Sequence, residues 1–504
     1  MKQLVQAACL VAILCLGASV GLAQPLASTA SGSETPLALP ADRVLRIATD
    51  TVEFEHHGLL PISSEVECYH HWEEESFPVP LAAVLVGFEE VVATVFQGEI
   101  IRFDVYDPLY IRTMQVAIST DQFRSIEHEQ LRVSPTSKLY VEEKGTGRGF
   151  VVQTGEEILV YAQDSKLHLV DGQGKLWKFD QKLYLWPDLR GLIQINSFQR
   201  GTGTKFFPQY RGRLELVIAE PGLFLVINEV SLEEYLYQVV PSEMPITWPL
   251  EALKAQAVAA RTYAVAQVIY SRQGHLGFHV SDSTNSQVYN NQPEAANTTR
   301  AIQETAGQIL TKEDGTIGST YFYSTAPRAP LTTLAQWRNT EELALEGNSP
   351  WYRWQCTFTM AELNRLLPAA LPQSVGTITG LIVRERDERG RVTVLGVQGT
   401  AGEATISGEL NIRNALKPVS LKRAKDTLTS LSLLPSAFFF MESNPNQQGQ
   451  LQSITLYGGG SGHGFGMSQW GAKGMAEAGL SYLDILAKYY PETRLITHSE
   501  QLRY

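Results

Sequence analysis

The chain has 504 residues, of which 44% are hydrophobic and 19% are charged, and its formal net charge is −12. This length is enough for two or three domains with hydrophobic cores. The acidic balance excludes the basic surface that nucleic-acid binding requires, so we expect no nucleic-acid partner. A neutral polymer such as a glycan is compatible with this charge.

The first 23 residues have the pattern of an export signal. Lys2 supplies a positive start, residues 4–23 are mostly apolar, and Gly21-Leu22-Ala23 places small residues where cleavage occurs in such signals. An uncleaved anchor is the alternative, because the apolar run is nearly long enough to span a bilayer. We expect an exported protein, in the periplasm or cell wall, that contacts the membrane only if this segment is retained.

Residues 24–80 are expected to form a linker or a poorly ordered polar segment. Residues 24–42 are rich in Ser, Thr, Ala and Pro without helical or strand periodicity, and residues 43–80 remain polar and acidic. Such a composition buries too little apolar surface to offset the entropy lost on ordering.

Residues 81–200 contain mostly strand signals, as short runs of β-branched and aromatic residues. The stretch "KLHLVDGQGKLWKF" predicts a hairpin that turns at Asp171-Gly172. We therefore predict a β-rich accessory domain over residues 81–200, with no chemistry assigned to it.

After residue 205 the pattern becomes mixed. The stretch "GRLELVIAEPGLFLVINEV" predicts a hairpin, and Ser231 with Glu234 forms a helix-start signal. Seven alanines between Pro249 and Tyr270 predict a tightly packed, buried helix that Pro249 opens. Because strands and helices do not alternate regularly, we predict an α+β fold.

Two long strings in this region carry a family resemblance. "EEYLYQVVPSEMPITWPLEALKAQAVAARTYA" and "GGSGHGFGMSQWGAKGMAEAGLSYLDILAKYYP" resemble the opening and closing motifs of the SpoIID/LytB domain, over residues 205–495. The resemblance implies action on peptidoglycan glycan strands, and we expect no cofactor. It implies either a lytic transglycosylase that cuts strands stripped of their peptides, or an enhancer of a muramoyl-alanine amidase, which would then be a partner.

Glu243 is the candidate catalytic residue. Cleavage of a glycosidic bond needs an acid that protonates the leaving oxygen, and a lytic transglycosylase needs only one carboxyl because the sugar's own 6-hydroxyl attacks. Pro241 and Pro245 restrict the backbone around Glu243. Burial beside Met244 and Trp248 would favour the protonated form, whereas the next helix start would favour the ionised form.

The alternative for Glu243 is structural. It would cap the following helix or form an ion pair with Lys254 or Arg261. For Arg261, a structural ion pair is the favoured role.

The resemblance and the loop composition suggest substrate contacts elsewhere. His463, within "GSGHGFG", is a candidate substrate-contacting or Glu243-orienting imidazole, with a turn histidine bonded to local backbone as the alternative. Ser468 and Gln469 are candidates for hydrogen bonds to sugar hydroxyls, although Ser468 equally fits a helix N-cap. Tyr263 lines the site or belongs to the core. We predict that the loops of Glu243 and His463 face one groove.

Ser324 is a further candidate contact, in a loop that departs from the family. The family has a Gly-Gly pair after this serine, whereas here Thr325-Ala326-Pro327 follow it. This rebuilt loop favours the non-catalytic, glycan-binding alternative.

We predict no metal. Several family members carry a Cys-x-x-x-His-Cys arrangement before "QVY", suited to a structural zinc ion. Ser281, Asn285 and Ser286 occupy those positions here, and serine and asparagine are poor zinc ligands.

Overall fold

The computed structural model describes residues 35–108, 111–188, 190–327, 331–338, 345–423 and 426–497. The predicted export signal and residues 24–34 lie outside these ranges. Helices and strands are mixed in the described part, which confirms the α+β prediction. Cys68 and Cys356 are buried free thiols. No helix among the residues placed by the structure is long and apolar enough to cross a membrane.

The first part of the chain is a seven-stranded sheet, in the order β1-β6-β7-β4-β3-β2 with β5 beside β4. The structure thus corrects the prediction of a poorly ordered segment for residues 35–80. Val44, Val52 and Phe54 are fully buried. The carboxylate of Asp42 accepts hydrogen bonds from the backbone N–H groups of His56 and His57. The strands are β1 Leu37–Ala38, β2 Val44–Ile47, β3 Thr51–Phe54, β4 Gly58–Trp72, β5 Glu75–Pro78, β6 Val91–Phe96 and β7 Glu99–Val105.

The next strands supply a six-stranded sheet in the order β15-β14-β13-β10-β17-β18, and most of a larger one. The predicted hairpin at Asp171-Gly172 is confirmed as β14–β15. The strands are β8 Thr113–Ala117, β9 Glu127–His128, β10 Gln130–Pro135, β11 Leu139–Glu143, β12 Gly149–Val152, β13 Ile158–Gln163, β14 Lys166–Val170, β15 Leu176–Phe179, β16 Leu183–Pro187, β17 Ile193–Ile195 and β18 Gln209–Tyr210.

Three further strands complete an eight-stranded sheet, β12-β11-β16-β19-β20-β8-β21 with β9 beside β20. They are β19 Arg213–Glu220, β20 Leu223–Ser231 and β21 Val280–Ser281. The β19–β20 pair is the hairpin that the sequence predicts. The predicted boundaries at residues 80 and 200 therefore fall within sheets, and one hydrophobic core extends across them.

The helices pack around α2, which contacts α1, α3, α7 and α8. Ser231 caps α1 by accepting the N–H of Glu234, and most of α2 is buried, as predicted. The predicted ion pair of Arg261 is confirmed, since its Nε lies 2.7 Å from a carboxylate oxygen of Glu233. The helices are α1 Leu232–Glu243, α2 Leu250–Ile269, α3 Ala296–Glu304, α4 Leu334–Arg338, α5 Met360–Leu366, α6 Glu409–Ala415, α7 Gln469–Glu477 and α8 Tyr482–Tyr489.

A second hydrophobic core lies within residues 354–458. We call residues 354–458 the inserted domain. It holds a five-stranded sheet, β29-β28-β24-β31-β30, and a three-stranded sheet, β25-β26-β27. The strands are β22 Gln308–Thr311, β23 Phe322–Tyr323, β24 Trp354–Thr359, β25 Ile378–Arg386, β26 Val392–Gly399, β27 Gly402–Ser407, β28 Ser420–Arg423, β29 Thr427–Thr429, β30 Phe439–Pro445, β31 Leu451–Gly458, β32 Met467–Ser468 and β33 Arg494–Thr497.

The inserted domain begins and ends near one short strand pair. Strand β23 precedes it, strand β32 follows it, and the two pair in parallel, Phe322 with Met467 and Tyr323 with Ser468. After the inserted domain, the chain therefore returns directly beside β23, the strand that precedes this domain. This return brings the glycine-rich loop, residues 458–466, next to the helical core.

Candidate active site

Glu243 is the last residue of α1, which continues through Pro241. Glu243 was predicted to lie in a loop after this helix, but it forms the last residue of the helix itself. The hydroxyl of Ser242 explains why the last turn holds. It donates to the Gln238 carbonyl at 2.6 Å and accepts the N–H of Asn291 at 2.9 Å. The end of α1 is thereby fixed to the segment that follows β21.

Two contacts hold Glu243 itself. The backbone N–H of Val288 donates to its Oε1 at 2.8 Å. The side-chain amide of Gln469 donates to the backbone carbonyl of Glu243 at 3.2 Å. One contact orients the carboxyl group and the other fixes the peptide behind it, so the side chain has a defined direction.

The carboxyl group of Glu243 favours its protonated form. Burial raises its pKa to about 7, against the opposing effect of the hydrogen bonds from Val288 and Gln469. The C-terminal end of a helix also disfavours negative charge. The alternative ion pairs do not form, because Lys254 pairs with Glu251 and Glu304, and Arg261 pairs with Glu233. Among the described residues no cation forms an ion pair with Glu243.

Tyr263 lies near Glu243 and lines a groove. Burial raises the pKa of the Tyr263 hydroxyl to about 12, and the neighbouring Tyr321 and Glu243 add to this effect. The same tyrosine lines a groove of about 780 Å³, between α2 and the segment that follows β22. Tyr263 therefore lines this groove, and its predicted place in the site stays a prediction. The groove is also lined by polar residues that include Gln267, Ser281, Asn285, Ser286, Lys312 and Thr320.

A row of aromatic rings leads from Tyr263 toward the glycine-rich loop. The ring centroids of Tyr263 and Tyr321 are 5.9 Å apart, those of Tyr321 and His463 are 6.0 Å apart, and those of His463 and Phe465 are 5.9 Å apart. Tyr321 and Phe465 are exposed over 49% and 43% of their surface. We call Tyr263, Tyr321, His463 and Phe465 the aromatic row; its exposed faces suit stacking on sugar rings.

His463 contributes a ring face to this row. Its Nδ1 accepts the backbone N–H of Phe465 at 3.1 Å, so its Nε2 carries the hydrogen that donates to the Phe322 carbonyl at 2.9 Å. Burial lowers the pKa of the imidazole, which keeps it neutral. Both nitrogens are thus occupied by backbone groups, a local one at Phe465 and a distant one at Phe322, and no hydrogen bond among the described residues joins His463 to Glu243.

Ser468, Gln469 and Ser324 hold the site together from within. Ser468 is fully buried and caps α7, since its Oγ accepts the N–H groups of Gly471 and Ala326. The N-cap alternative is confirmed, and a direct sugar contact does not fit this burial. The Ser324 carbonyl accepts the N–H of Trp470 at 3.0 Å, and its hydroxyl lies 3.1 Å from that of Thr325. The rebuilt loop therefore joins the start of α7 to the rest of the site.

The zinc positions of the family are occupied by groove residues here. Ser281, Asn285 and Ser286 line the groove, and among the described residues no three His, Cys, Asp or Glu side chains gather as a metal site. The nearby His279 is buried, donates from Nε2 to the Val86 carbonyl at 3.0 Å, and has its pKa lowered to about 4 by burial. The absence of a metal stays a prediction.

Sequence reasoning missed Val288 and Tyr321. The Val288 contact uses a backbone N–H, which no side-chain pattern reveals. Tyr321 precedes β23, a two-residue strand without periodicity, so no signal marked it as a site residue. Gln469 was singled out, but for a different contact.

Comparison with known proteins identifies the domain. A family model described as "Stage II sporulation protein" (SpoIID) matches residues 221–311, which span β20, α1 and α2. A second model, described as "Domain of unknown function (DUF8618)", matches residues 300–466 and includes the inserted domain.

Curated relatives extend this match. The chain is 31% identical over 291 residues to the stage II sporulation protein D of Bacillus subtilis, covering 53% of this chain and 75% of that protein. It is 32% identical over 287 residues to the protein of the same name from Bacillus amyloliquefaciens, covering 52% of this chain and 74% of that protein. It is 29% identical over 295 residues to the amidase enhancer of Bacillus subtilis, covering 52% of this chain but only 40% of the length of that relative. The chain belongs to the stage II sporulation protein D (SpoIID) family.

Proposed function

We propose that this protein acts on the bacterial cell wall outside the cytoplasm, as a lytic transglycosylase that cleaves peptidoglycan glycan strands with Glu243 as general acid and base. The observation that carries the proposal is the carboxyl group of Glu243, which is half-buried, oriented by Val288 and without an ion-pair partner among the described residues. Its pKa of about 7 keeps much of it protonated near neutral pH. A general acid needs a pKa near the working pH.

The reaction needs only this carboxyl group. Protonated Glu243 donates its proton to the glycosidic oxygen while the bond from that oxygen to the anomeric carbon breaks. The 6-hydroxyl oxygen of the same sugar bonds to the anomeric carbon, and its proton passes to the Glu243 carboxylate. The product strand ends in an anhydro-sugar, and Glu243 is again protonated. Val288 holds Oε1, which leaves Oε2 to carry the proton.

The groove and the aromatic row provide the binding surface. Tyr263 belongs to both, and Glu243 lies near enough to raise the pKa of its hydroxyl, although Glu243 is not among the residues that line the groove. Sugar rings stack on aromatic faces, and the polar groove residues offer hydrogen bonds to hydroxyl groups. Preorganisation matters here, because misplacing a proton donor by ~1 Å costs on the order of 10²-fold in rate.

A non-catalytic enhancer of a cell-wall amidase is the second candidate. The rebuilt loop after Ser324 favours it, and one relative is named an amidase enhancer. In that case the same surface would bind glycan and present the amidase with its substrate, without cleavage by Glu243.

The test is incubation with peptide-free glycan strands, followed by mass spectrometry for anhydro-sugar ends. We expect the wild type to form them and Glu243→Gln to slow their formation by ~10²–10⁴-fold, because Gln keeps the shape but has no proton to transfer. Glu304→Gln is the matched control, since this glutamate lies on α3 in surface ion pairs with Lys254 and Arg300. No anhydro ends from the wild type, together with stimulation of an amidase, would favour the enhancer.

A further inference from the structure

One turn of the inserted domain, residues 386–391 between β25 and β26, forms hydrogen bonds with the glycine-rich loop. Arg391 donates from Nη1 to the His463 carbonyl at 2.5 Å, and Arg389 donates from Nη1 to the Gly464 carbonyl at 2.7 Å. A side chain at Gly464 would meet the ring of Phe438, also from the inserted domain, at 2.7 Å. The loop that carries His463 and Phe465 is thus shaped by the inserted domain.

The same two arginines surround the last ring of the aromatic row. The Arg391 guanidinium lies 4.0 Å from the Phe465 ring centroid, and that of Arg389 lies 5.6 Å from it. The two differ in charge balance. Arg391 is buried and pairs with Asp387 at 2.8 Å, whereas Arg389 is exposed and has no carboxylate partner among the residues that the structure places. Arg389 therefore leaves positive charge available beside an exposed aromatic face.

We propose that Phe465 and Arg389 form an outer subsite at the end of the aromatic row, and that this subsite binds a sugar residue bearing a free carboxylate. The inference rests on the proposed glycan-binding function. Phe465 would stack on the sugar ring, and the Arg389 guanidinium, which keeps free N–H groups, would pair with the carboxylate. In a peptidoglycan strand that carboxylate is the lactyl group of a muramic acid without its peptide.

The subsite assigns a role to the inserted domain. An attached peptide converts the lactyl carboxylate to an uncharged amide, which removes the partner of Arg389. Arg391, which is buried and paired with Asp387, positions the loop. Arg389 distinguishes a lactyl carboxylate from the amide that an attached peptide forms. The inserted domain is thus a specificity element for stripped strands, added to a site whose acid comes from α1.

The experiment measures binding in the Glu243→Gln background, so that turnover does not disturb it. The two probes are peptide-free glycan strands and the same strands with their carboxylates converted to methylamides. We expect Arg389→Gln to raise the Kd for the carboxylate strands about tenfold or more, because a charge-assisted hydrogen bond is lost. The Kd for the amidated strands should change by less than about twofold.

Arg384→Gln is the matched control, because Arg384 is an exposed arginine of β25 whose guanidinium bonds only to Glu403 among the described residues. It should leave both Kd values unchanged. Phe465→Leu should weaken the binding of both probes to the same extent, because stacking on the sugar ring does not depend on the charge of its substituent. Equal losses for both probes with Arg389→Gln, or no loss, would overturn the subsite.

This test separates the two proposals. If the wild type forms no anhydro ends but Arg389 still discriminates between the probes, the subsite stands and the enhancer function replaces the transglycosylase. If the wild type cleaves but Arg389→Gln binds both probes normally, only the subsite fails.

Discussion

The pKa values of two glutamates, one in the strand-rich part of the chain and one at the end of α1, are shifted in opposite directions. Glu53 in β3 lies 2.9 Å from the Nζ of Lys144 and 3.3 Å from that of Lys182. Burial opposes its charge, but these lysines and Arg46 lower its pKa to about 2. Glu243 is half-buried and has no such partner in the described part of the chain, and burial raises its pKa to about 7.

The difference separates a structural acid from the acid that we propose as catalytic. A buried charge costs free energy unless a partner compensates it, so a folding role requires partners such as those of Glu53. An unpaired acid with a raised pKa, held beside a groove, is typical of proton transfer. Burial by itself does not make this distinction, whereas the presence or absence of a cation does.

The largest effect on stability is expected at Glu53. Glu53→Gln should lower the free energy of unfolding by about 3–5 kcal/mol at pH 7, because Lys144 and Lys182 would keep buried charges with less compensation. Urea denaturation of this variant beside Glu243→Gln measures the contrast. A loss below about 1 kcal/mol would show that Glu53 is no more structural than Glu243.

The pH profile tests the other side of the comparison. Only protonated Glu243 can donate, so kcat/KM should approach a tenfold fall per pH unit well above its pKa of about 7, or roughly 50-fold between pH 7 and pH 9. Initial rates of anhydro-end formation across this range provide the measurement. A flat profile to pH 9 would rule out Glu243 as the acid.

Glu243→Gln should stabilise the protein in alkali. The folded-state pKa lies above the usual value of 4.5, so folding favours the protonated form and wild-type stability falls as pH rises from about 4.5 to 7. Gln removes this loss. Since Glu243 is only half-buried, we expect a gain of about 1–2 kcal/mol at pH 8 and none near pH 4.5. Thermal unfolding at the two pH values decides; a loss at pH 8 would mean a structural role.

The smallest effect is expected at Ser468. Ser468→Ala removes the N-cap of α7 and should cost about 1 kcal/mol, while glycan affinity stays the same because the hydroxyl is buried. Calorimetric unfolding and glycan binding by the same variant measure both. Unchanged stability with weaker binding would restore the sugar-contact role.

Local features were predictable because their causes are local. The hairpins at Asp171-Gly172 and Pro221-Gly222, the Ser231 cap and the buried α2 each follow from a few adjacent residues. Glu243 also stood out, since no other acid shares its proline setting.

Long-range pairings could not be read in this way. The order of residues 35–80 depends on cross-strand partners in β6 and β7 and on ion pairs with Lys144 and Lys182, far along the chain. Strands β23 and β32 have two residues each, which is too few for a periodic pattern. The pairing that brings the chain back beside Tyr323 therefore could not be predicted from the sequence. The contact of Val288 with Glu243 belongs to the backbone and leaves no mark in composition.

The contact between Gln469 and Glu243 spans 226 residues. During synthesis, a ribosome must therefore add the whole inserted domain after Glu243 before the partner that fixes its peptide exists. Until then the acid sits on a finished α1 helix without the aromatic row or the glycine-rich loop. A nascent or truncated chain thus carries the proposed proton donor but no assembled site, and the proposed cleavage activity requires the late folding of this part of the chain.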